Sequence, residues 1–131
     1  PNVAGVIGLG ESIKYINKIG LNNIIDREKE LRNYLIEKLV KIKHIDILNL
    51  EADSAIVAFN VDGIFSEDVS YYLNKYHICV RAGNHCAKLT KNFLGVSNSI
   101  RVSLYFYNTK SEIDELIDLL KDKDKIMKEM L

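Results

Sequence analysis

The chain has 131 residues, and its 18 basic and 18 acidic side chains give a formal net charge of zero at pH 7. This length suits one domain with a real core, because folding can bury about two-thirds of the surface that the unfolded chain exposes. Balanced charge without a long block of either sign argues against a nucleic-acid groove or a polybasic membrane anchor. The apolar runs are too short to cross a bilayer, and no signal peptide is visible.

Two helices are predicted at the start of the chain. Apolar residues recur at nearly helical spacing over residues 3–19, and the glycines among them suit close packing against another element. We expect Gly20 to end this helix, and Asn22 or Asn23 to cap the next one. Over residues 24–42 the apolar positions share one side and charges cover the other, which predicts a long amphipathic helix.

The middle of the chain predicts two strands and a short helix. Residues 45–50 and 55–61 are apolar stretches joined by a short polar connection, which favours an antiparallel pair. Asp62 and Gly63 form a turn signal. Ser66 is the expected N-cap of a helix that ends near residue 77, because acidic residues follow it at the positive end of the helix dipole.

The last third predicts two more strands and a terminal helix. Residues 78–80 form a short apolar strand that leads into a polar hexapeptide at residues 81–86. Residues 87–98 are predicted to be a mostly irregular loop that is anchored by its apolar side chains. Residues 99–107 alternate between apolar and polar and predict the fourth strand, and Ser111 begins the last helix.

The order of these elements predicts the fold class. Helices at both ends and in the middle of a run of strands favour an α+β domain, with a mostly antiparallel four-stranded sheet and helices packed on one side. No repeat, low-complexity tract or interdomain linker is visible, so residues 1–131 are taken as a single domain. Because the chain opens on proline and enters a helical pattern at once, we expect it to be a piece of a longer protein.

The hexapeptide carries the strongest chemical signal. Cys86 follows a basic and polar stretch that holds Arg81 and His85, and Lys88 comes two residues later. Positive charge and backbone N–H groups stabilise a thiolate, so these neighbours favour a lowered pKa for the Cys86 thiol. Gly83 permits the backbone conformation that a sharp turn out of a strand needs. The sequence therefore predicts that Cys86 is a sulfur nucleophile.

Other uses of the two cysteines are less favoured. Cys79 lies between apolar neighbours in the predicted strand, which suits a buried structural residue. A disulfide with Cys86 is geometrically awkward if one cysteine is in the strand and the other in the loop, and this favours a reducing compartment. A metal site drawing on Cys79, His85 and Cys86 lacks the familiar ligand spacing.

Arg101 is the second candidate for a functional residue. An arginine in an alternating strand would ordinarily face solvent, but its planar fork suits bidentate capture of a carboxylate. If the third and fourth strands pair, Arg101 lies near the cysteine loop. The tyrosines that follow it are expected to cover the sheet.

Three segments together carry a resemblance to a known family. Residues 1–10 (PNVAGVIGLG) resemble the segment that opens the C-terminal part of group II cysteine desulfurases, the SufS-like and NifS-related branch. Residues 81–87 (RAGNHCA) resemble their Arg-x-Gly-His-His-Cys-Ala signature. Residues 101–109 (RVSLYFYNT) resemble their Arg-x-Ser-x-x-x-Tyr-Asn-Thr segment, at the same separation from the cysteine. These are pyridoxal-phosphate enzymes of the class V aminotransferase fold.

The resemblance implies roles residue by residue. Cys86 matches the cysteine that attacks the sulfur of L-cysteine and becomes a persulfide, with alanine as the other product. Arg101 matches the residue that binds the substrate carboxylate. His85 and Arg81 match active-site residues of the signature that tune the thiol and shape the pocket, so the resemblance implies a catalytic role for His85 and a substrate-binding role for Arg81. The pyridoxal-phosphate lysine is expected upstream of Pro1, so no cofactor-binding residue is assigned in this chain.

Two positions depart from the family pattern. Asn84 stands where the signature has histidine, so a proton-transfer role is not carried over to it. Leu89 replaces the proline of the family's Cys-Ala-x-Pro pattern, which predicts a less rigid loop.

The expected protein is thus the small C-terminal domain of a fold-type I cysteine desulfurase, inactive alone and catalytic in the full chain. The resemblance also implies a homodimer, a sulfur acceptor of iron–sulfur cluster assembly as partner, and a cytoplasmic location, with an organellar copy left open. No nucleic acid or membrane is expected as partner. Two alternatives stay open at this point: a selenocysteine lyase of the same family, and a cofactor-free carrier that receives persulfide from a separate enzyme.

Overall fold

The computed structural model describes residues 1–130, apart from the side chains of Lys88, Thr90 and Lys91. Ten elements follow one another along the described chain: α1 (Val3–Ile19), α2 (Leu21–Leu39), β1 (Ile45–Ile47), β2 (Ile56–Val61), α3 (Ser66–Lys75), β3 (Arg81–Gly83), α4 (Lys88–Leu94), β4 (Ser99–Ser103), α5 (Lys110–Leu120) and α6 (Lys123–Met130).

The strands form one open sheet in the order β1-β2-β4-β3, and every neighbouring pair is antiparallel. β4 lies between β2 and β3, with Val102 opposite Val57 on one side and Arg101 opposite Arg81 on the other. The predicted fold class, an α+β domain with a four-stranded antiparallel sheet, is confirmed.

The core lies on one face of this sheet. In α2, Leu31, Leu35 and Leu39 recur every four residues and are fully buried, as expected for the inner stripe of an amphipathic helix. They belong to the same hydrophobic cluster as Phe59 of β2 and Ile100 of β4. Because side chains alternate along a strand, the residues between those core positions face the other side of the sheet.

The third strand is displaced from its predicted position. Residues 78–80 were expected to pair, but β3 is formed by Arg81–Gly83, which bonds to Ser99–Arg101 of β4. Residues 76–80 and the end of β4 line a groove of about 400 Å³, and residues 78–80 form no strand in the described chain. Cys79 is exposed beside the groove, and its predicted burial is wrong.

Two predicted helix caps are also wrong. α2 begins at Leu21 directly after Gly20, so neither asparagine caps it. Asn23 instead donates a hydrogen bond from Nδ2 to the carbonyl oxygen of Ile19, at 2.7 Å, and so provides a partner for the last carbonyl group of α1. Ser66 is the first residue of α3 rather than its cap, and its hydroxyl donates to Glu67.

Two helices were not predicted. Residues 88–94 form α4, and its Leu89 and Phe93 side chains are 83% and 87% exposed, so they do not anchor the segment. β4 ends at Ser103, earlier than predicted. The terminal helix divides into α5 and α6, and α5 starts with a capping box between Thr109 and Glu112.

Helix α1 leaves an apolar surface uncovered. A Cβ added to Gly8 or Gly10 would meet nothing within 4 Å, so no described residue packs on these glycines. None of the helices described is long and apolar enough to cross a membrane. The exposed apolar residues of α1 include Val3, Val6, Ile7, Leu9 and Ile13.

Candidate functional site

The candidate site begins where β3 ends. Gly83 is buried and has a φ of 105°, a conformation that side chains rarely adopt. A Cβ added here would lie 3.4 Å from Oε1 of Glu67 in α3. That distance is an ordinary van der Waals contact, so the backbone conformation is the reason for glycine at the last residue of β3. The strand leaves the sheet immediately afterwards.

Cys86 sits in a tight turn just beyond Gly83. The N–H of Ala87 donates to the carbonyl oxygen of Asn84 at 3.0 Å, which closes a four-residue turn. His85 and Cys86 occupy its two central positions with φ values of 54° and 56°. Both values are positive, as a type I′ turn requires, and neither residue is glycine. The Cys86 side chain is exposed at the tip of the turn and forms no disulfide.

One side-chain contact ties this turn to the sheet. Nε2 of His85 lies 3.1 Å from the carbonyl oxygen of Ser99 and 3.0 Å from its hydroxyl oxygen. Ser99 is buried at the start of β4 and is the partner of Gly83 across the β3–β4 ladder. The imidazole therefore joins the Cys86 turn to the strand that carries Arg101.

Two arginines face each other beside the turn. Arg81 and Arg101 are directly opposite in the ladder, so their Cβ atoms lie about 5 Å apart on the same face of the sheet. Ile100, the neighbour of Arg101, is buried in the core, so the arginines project from the opposite face. Like charges placed directly opposite destabilise a sheet unless an anion lies between or near them.

The surroundings of Arg101 favour such an anion. Its side chain is half-buried, whereas that of Arg81 is exposed. Nε of Arg101 is buried and has no hydrogen-bond partner among the described residues. Ser99 and Arg101 are two residues apart on the same face of β4, which places them about 7 Å from each other. The arginine pair and the Cys86 turn thus lie at one edge of the sheet.

Polar contacts behind the turn hold the loop that precedes β4. Oε2 of Glu67 accepts hydrogen bonds from Ser66 Oγ, at 2.9 Å, and from Asn98 Nδ2, at 3.1 Å. The carbonyl oxygen of Asn98 accepts from Asn60 Nδ2 at 3.0 Å. β4 therefore enters the sheet from a loop that is fixed from both α3 and β2.

The structure brings together four of the residues predicted from the sequence: Arg81, His85, Cys86 and Arg101. The side chain of Lys88 lies outside the described residues. Sequence reasoning missed Ser99 as a partner of His85. A signal was available, because Ser99 precedes Arg101 by two residues in an alternating strand and so had to share its face.

A metal-ion centre is not formed by the described part of the chain. Across residues 1–130, excluding the three side chains named above, no group of three or more histidine, cysteine, aspartate or glutamate side chains could hold a metal ion. The candidate site therefore consists of an exposed thiol, an imidazole hydrogen-bonded to a strand and two arginines that are directly opposite each other in the β3–β4 ladder.

The chain belongs to the class-V aminotransferases, because the family model described as aminotransferase class-V matches residues 1–116. Within the family its relatives are cysteine desulfurases. The cysteine desulfurase of Wigglesworthia glossinidia brevipalpis is 38% identical over 128 residues, which are 98% of this chain and 31% of that protein. The predicted resemblance is confirmed.

Solved structures agree with the sequence comparison. The apo structure of a cysteine desulfurase from Thermococcus onnurineus matches 92% of this chain with a TM-score of 0.86 and 33% identity, and the matched part is 31% of that protein. A cysteine desulfurase of Escherichia coli in an S-sulfonic acid form matches the whole chain with a TM-score of 0.87 and 30% identity, over 32% of its own length. The chain thus spans about a third of the proteins it resembles.

Proposed function

We propose that residues 1–131 form the small C-terminal domain of a pyridoxal-phosphate-dependent cysteine desulfurase. In this proposal the full-length protein removes sulfur from L-cysteine and produces L-alanine and a persulfide on Cys86. The large domain is supplied by the part of the protein outside this sequence. The family membership and the cysteine desulfurase relatives support the proposal, since these relatives are about three times as long as the chain.

The observation that carries the proposal is the arginine pair beside the exposed thiol. Arg101 keeps a buried Nε–H without a partner among the described residues, and Arg81 adds a second guanidinium on the same face. A guanidinium fork matches a carboxylate with two parallel hydrogen bonds. We assign Arg101 to binding the α-carboxylate of the substrate and Arg81 to supporting it with positive charge.

The residues present fit the substrate side of a pyridoxal-phosphate site. The family implies this cofactor, which when bound supplies the electron sink that weakens the carbon–sulfur bond of an amino acid. On the face away from the core, the polar side chains of the four described strands are arginine, serine, asparagine and Asp46, and no lysine is among them. Because the chain covers only about a third of its relatives, we assign the covalent lysine to the part of the protein outside this sequence. The unpartnered Arg101 Nε–H fits the carboxylate of an amino-acid substrate.

Cys86 performs the sulfur transfer. Its thiolate forms a bond to the sulfur of the substrate while the bond between that sulfur and the substrate Cβ breaks. The electron pair of the broken bond stays with the carbon, which takes a proton and becomes the methyl group of alanine. The exposed position of Cys86 at the tip of its turn then leaves the persulfide open to the thiol of an acceptor.

Three further features belong to this proposal. The full-length protein is a homodimer, its persulfide serves a sulfur-acceptor protein of iron–sulfur cluster assembly, and it works in the cytosol. The exposed apolar stripe of α1 is assigned to contact with the large domain.

The experiment is turnover of L-cysteine by the full-length protein, with alanine and sulfide measured together. Cys86→Ala is expected to abolish persulfide formation. Cys79→Ala is the matched control, because Cys79 is also an exposed free thiol but lies beside the groove at the other end of β3, and this variant should keep wild-type turnover. Arg101→Ala should raise KM by about 10- to 100-fold, the range for losing a charge-assisted hydrogen bond.

Unchanged turnover in Cys86→Ala would exclude Cys86 as the nucleophile. Alanine release that is absent from the wild-type full-length protein loaded with pyridoxal phosphate would exclude the activity itself. Turnover of selenocysteine measured in parallel separates a desulfurase from a selenocysteine lyase, because the latter would prefer the selenium substrate.

A further inference from the structure

The hydrogen bonds of His85 assign its tautomer. Nε2 lies 3.1 Å from the carbonyl oxygen of Ser99, and a carbonyl oxygen can only accept a hydrogen bond. In the neutral imidazole Nε2 must therefore carry the proton. The hydroxyl oxygen of Ser99, at 3.0 Å, accepts from the same N–H and is compatible with this assignment.

The surroundings of the other ring nitrogen, Nδ1, support the same tautomer. Nδ1 of His85 is buried and has no hydrogen-bond partner among the described residues. A buried N–H without an acceptor is rarer and less favourable than a buried lone pair without a donor. The imidazole therefore keeps its proton on Nε2, toward Ser99, and its lone pair on Nδ1, away from water.

The turn that holds Cys86 needs a contact that fixes its backbone conformation. His85 and Cys86 both adopt left-handed φ values, which are unfavourable for residues other than glycine. Conformations of this kind persist where the surrounding structure fixes them. Among the described residues, the side-chain hydrogen bonds between this turn and the sheet are the two that join His85 to Ser99.

We propose that His85 positions the Cys86 turn through its hydrogen bonds to Ser99 and is not a proton-transfer group. Both are positioning residues that hold the Cys86 turn at the edge of the sheet beside Arg101. This assignment replaces the catalytic role that the family resemblance implies for His85. It rests on the proposed function only in taking Cys86 as the nucleophile.

The sharpest test compares two substitutions of His85 in the full-length protein. Gln keeps an N–H donor near the position of Nε2 but cannot take up a proton, whereas Ala keeps neither property. A positioning role predicts that His85→Gln lowers kcat for L-cysteine by less than about fivefold, the factor of one ordinary hydrogen bond. His85→Ala removes the N–H that both Ser99 acceptors share and should lower kcat by about 5- to 25-fold. A general acid or base predicts losses of about 100-fold or more in both.

Substitutions of Ser99 test its role in holding His85. Ser99→Ala removes one of the two acceptors and should lower kcat by about fivefold with little change in KM, and Ser99→Thr should restore it because the hydroxyl is kept. Ser103→Ala is the matched control, since Ser103 lies on the same face of β4, is exposed and does not contact the turn. It should behave as wild type.

Two readouts do not depend on turnover. Nitrogen-15 NMR of the histidine side chains, assigned with His85→Gln, should show the Nε2–H tautomer for His85. The rate at which iodoacetamide alkylates Cys86, followed by mass spectrometry of its peptide, should change in Ser99→Ala and return in Ser99→Thr. If the wild-type protein releases no alanine, the proposed function fails, and these two readouts still decide whether His85 is a positioning residue.

Three results would overturn the proposal. They are an Nδ1–H signal for His85, a loss of about 100-fold in His85→Gln, and a Ser99→Ala protein that matches wild type in both kcat and alkylation rate.

Discussion

Arg32 is expected to stabilise this fold more than any other single charged residue described. It belongs to α2, is 5% exposed and has no carboxylate partner among the ion pairs of the described residues. Its guanidinium donates to four backbone carbonyl oxygens. Three belong to the connection between β1 and β2, at Asn49 (2.6 Å), Leu50 (3.2 Å) and Ser54 (3.1 Å), and the fourth to Ile56 (2.7 Å), the first residue of β2. The connection between the two strands is therefore folded around one buried cation.

The size of the effect follows from these contacts. Hydrogen bonds from a charged donor contribute about 1.5–3 kcal/mol each when measured singly, and they are not additive. The connection lies at the surface, so some of the carbonyl oxygens turn to water when Arg32 is removed. We expect Arg32→Ala to lower the free energy of unfolding by about 3–4 kcal/mol, close to the loss on breaking a buried ionic contact. Arg32→Lys should lose about 2 kcal/mol, because an ammonium cannot span four acceptors.

Urea unfolding followed by circular dichroism measures these changes. With a slope of about 1.5 kcal/mol per molar urea, 3 kcal/mol moves the midpoint by about 2 M. Lys29→Ala is the control, because Lys29 is on the same helix and reaches the same connection through an exposed ion pair with Asp53 at 3.5 Å. Exposed pairs contribute about 1 kcal/mol or less. An Arg32→Ala protein within 1 kcal/mol of wild type would refute the reasoning.

Two further predictions concern the backbone and pH. Gly83→Ala should destabilise the chain by about 1–2 kcal/mol, because the φ of 105° is unfavourable for alanine. Gly8→Ala should stabilise it by about 0.5–1 kcal/mol, because Gly8 has open space around it in α1. Equal effects of the two substitutions in urea unfolding would contradict this. Hydrogen bonds from the Thr109 N–H and then the Asn108 amide hold the pKa of Glu112 below its ordinary value of 4.5. Its carboxylate therefore stabilises the fold above pH 4.5 and loses this effect as the pH falls through the lowered pKa. The free energy of unfolding of Glu112→Gln should therefore depend less on pH below about pH 4.5 than that of the wild type.

Periodicity predicted the parts of the fold that depend on burial. The spacing of Leu31, Leu35 and Leu39 placed α2, and the alternation around Ile100 and Val102 placed β4, because in both cases the buried face repeats with the period of its element. The residues of the candidate site could also be named from the sequence, and the structure brings them together. Cys86 was indicated by its polar and basic neighbours, whereas Arg101 was a weak signal by itself and was indicated mainly by the family resemblance.

Contacts with no periodic signal could not be predicted. Arg32 lies among charged residues of α2, and nothing in its neighbourhood in the sequence indicates that four carbonyl oxygens in and next to a distant connection surround it. The caps failed for a related reason. Asparagine and serine can bond to several nearby backbone groups, so Asn23 and Ser66 were read as caps of the helices that follow them, although the structure gives them other partners.

The errors nearest the candidate site have a common origin. Propensity rules assume that each residue adopts its favoured conformation, and the site breaks this assumption in neighbouring places. His85 and Cys86 take the left-handed conformation that side chains avoid, and β3 pairs through Arg81, which sets it directly opposite Arg101. Each feature is unfavourable for folding by itself. The proposed function gives each a use, because a substrate carboxylate would offset the charge of the arginines and a nucleophilic thiol must project from the sheet. Local rules are expected to fail where a fold keeps strain for function.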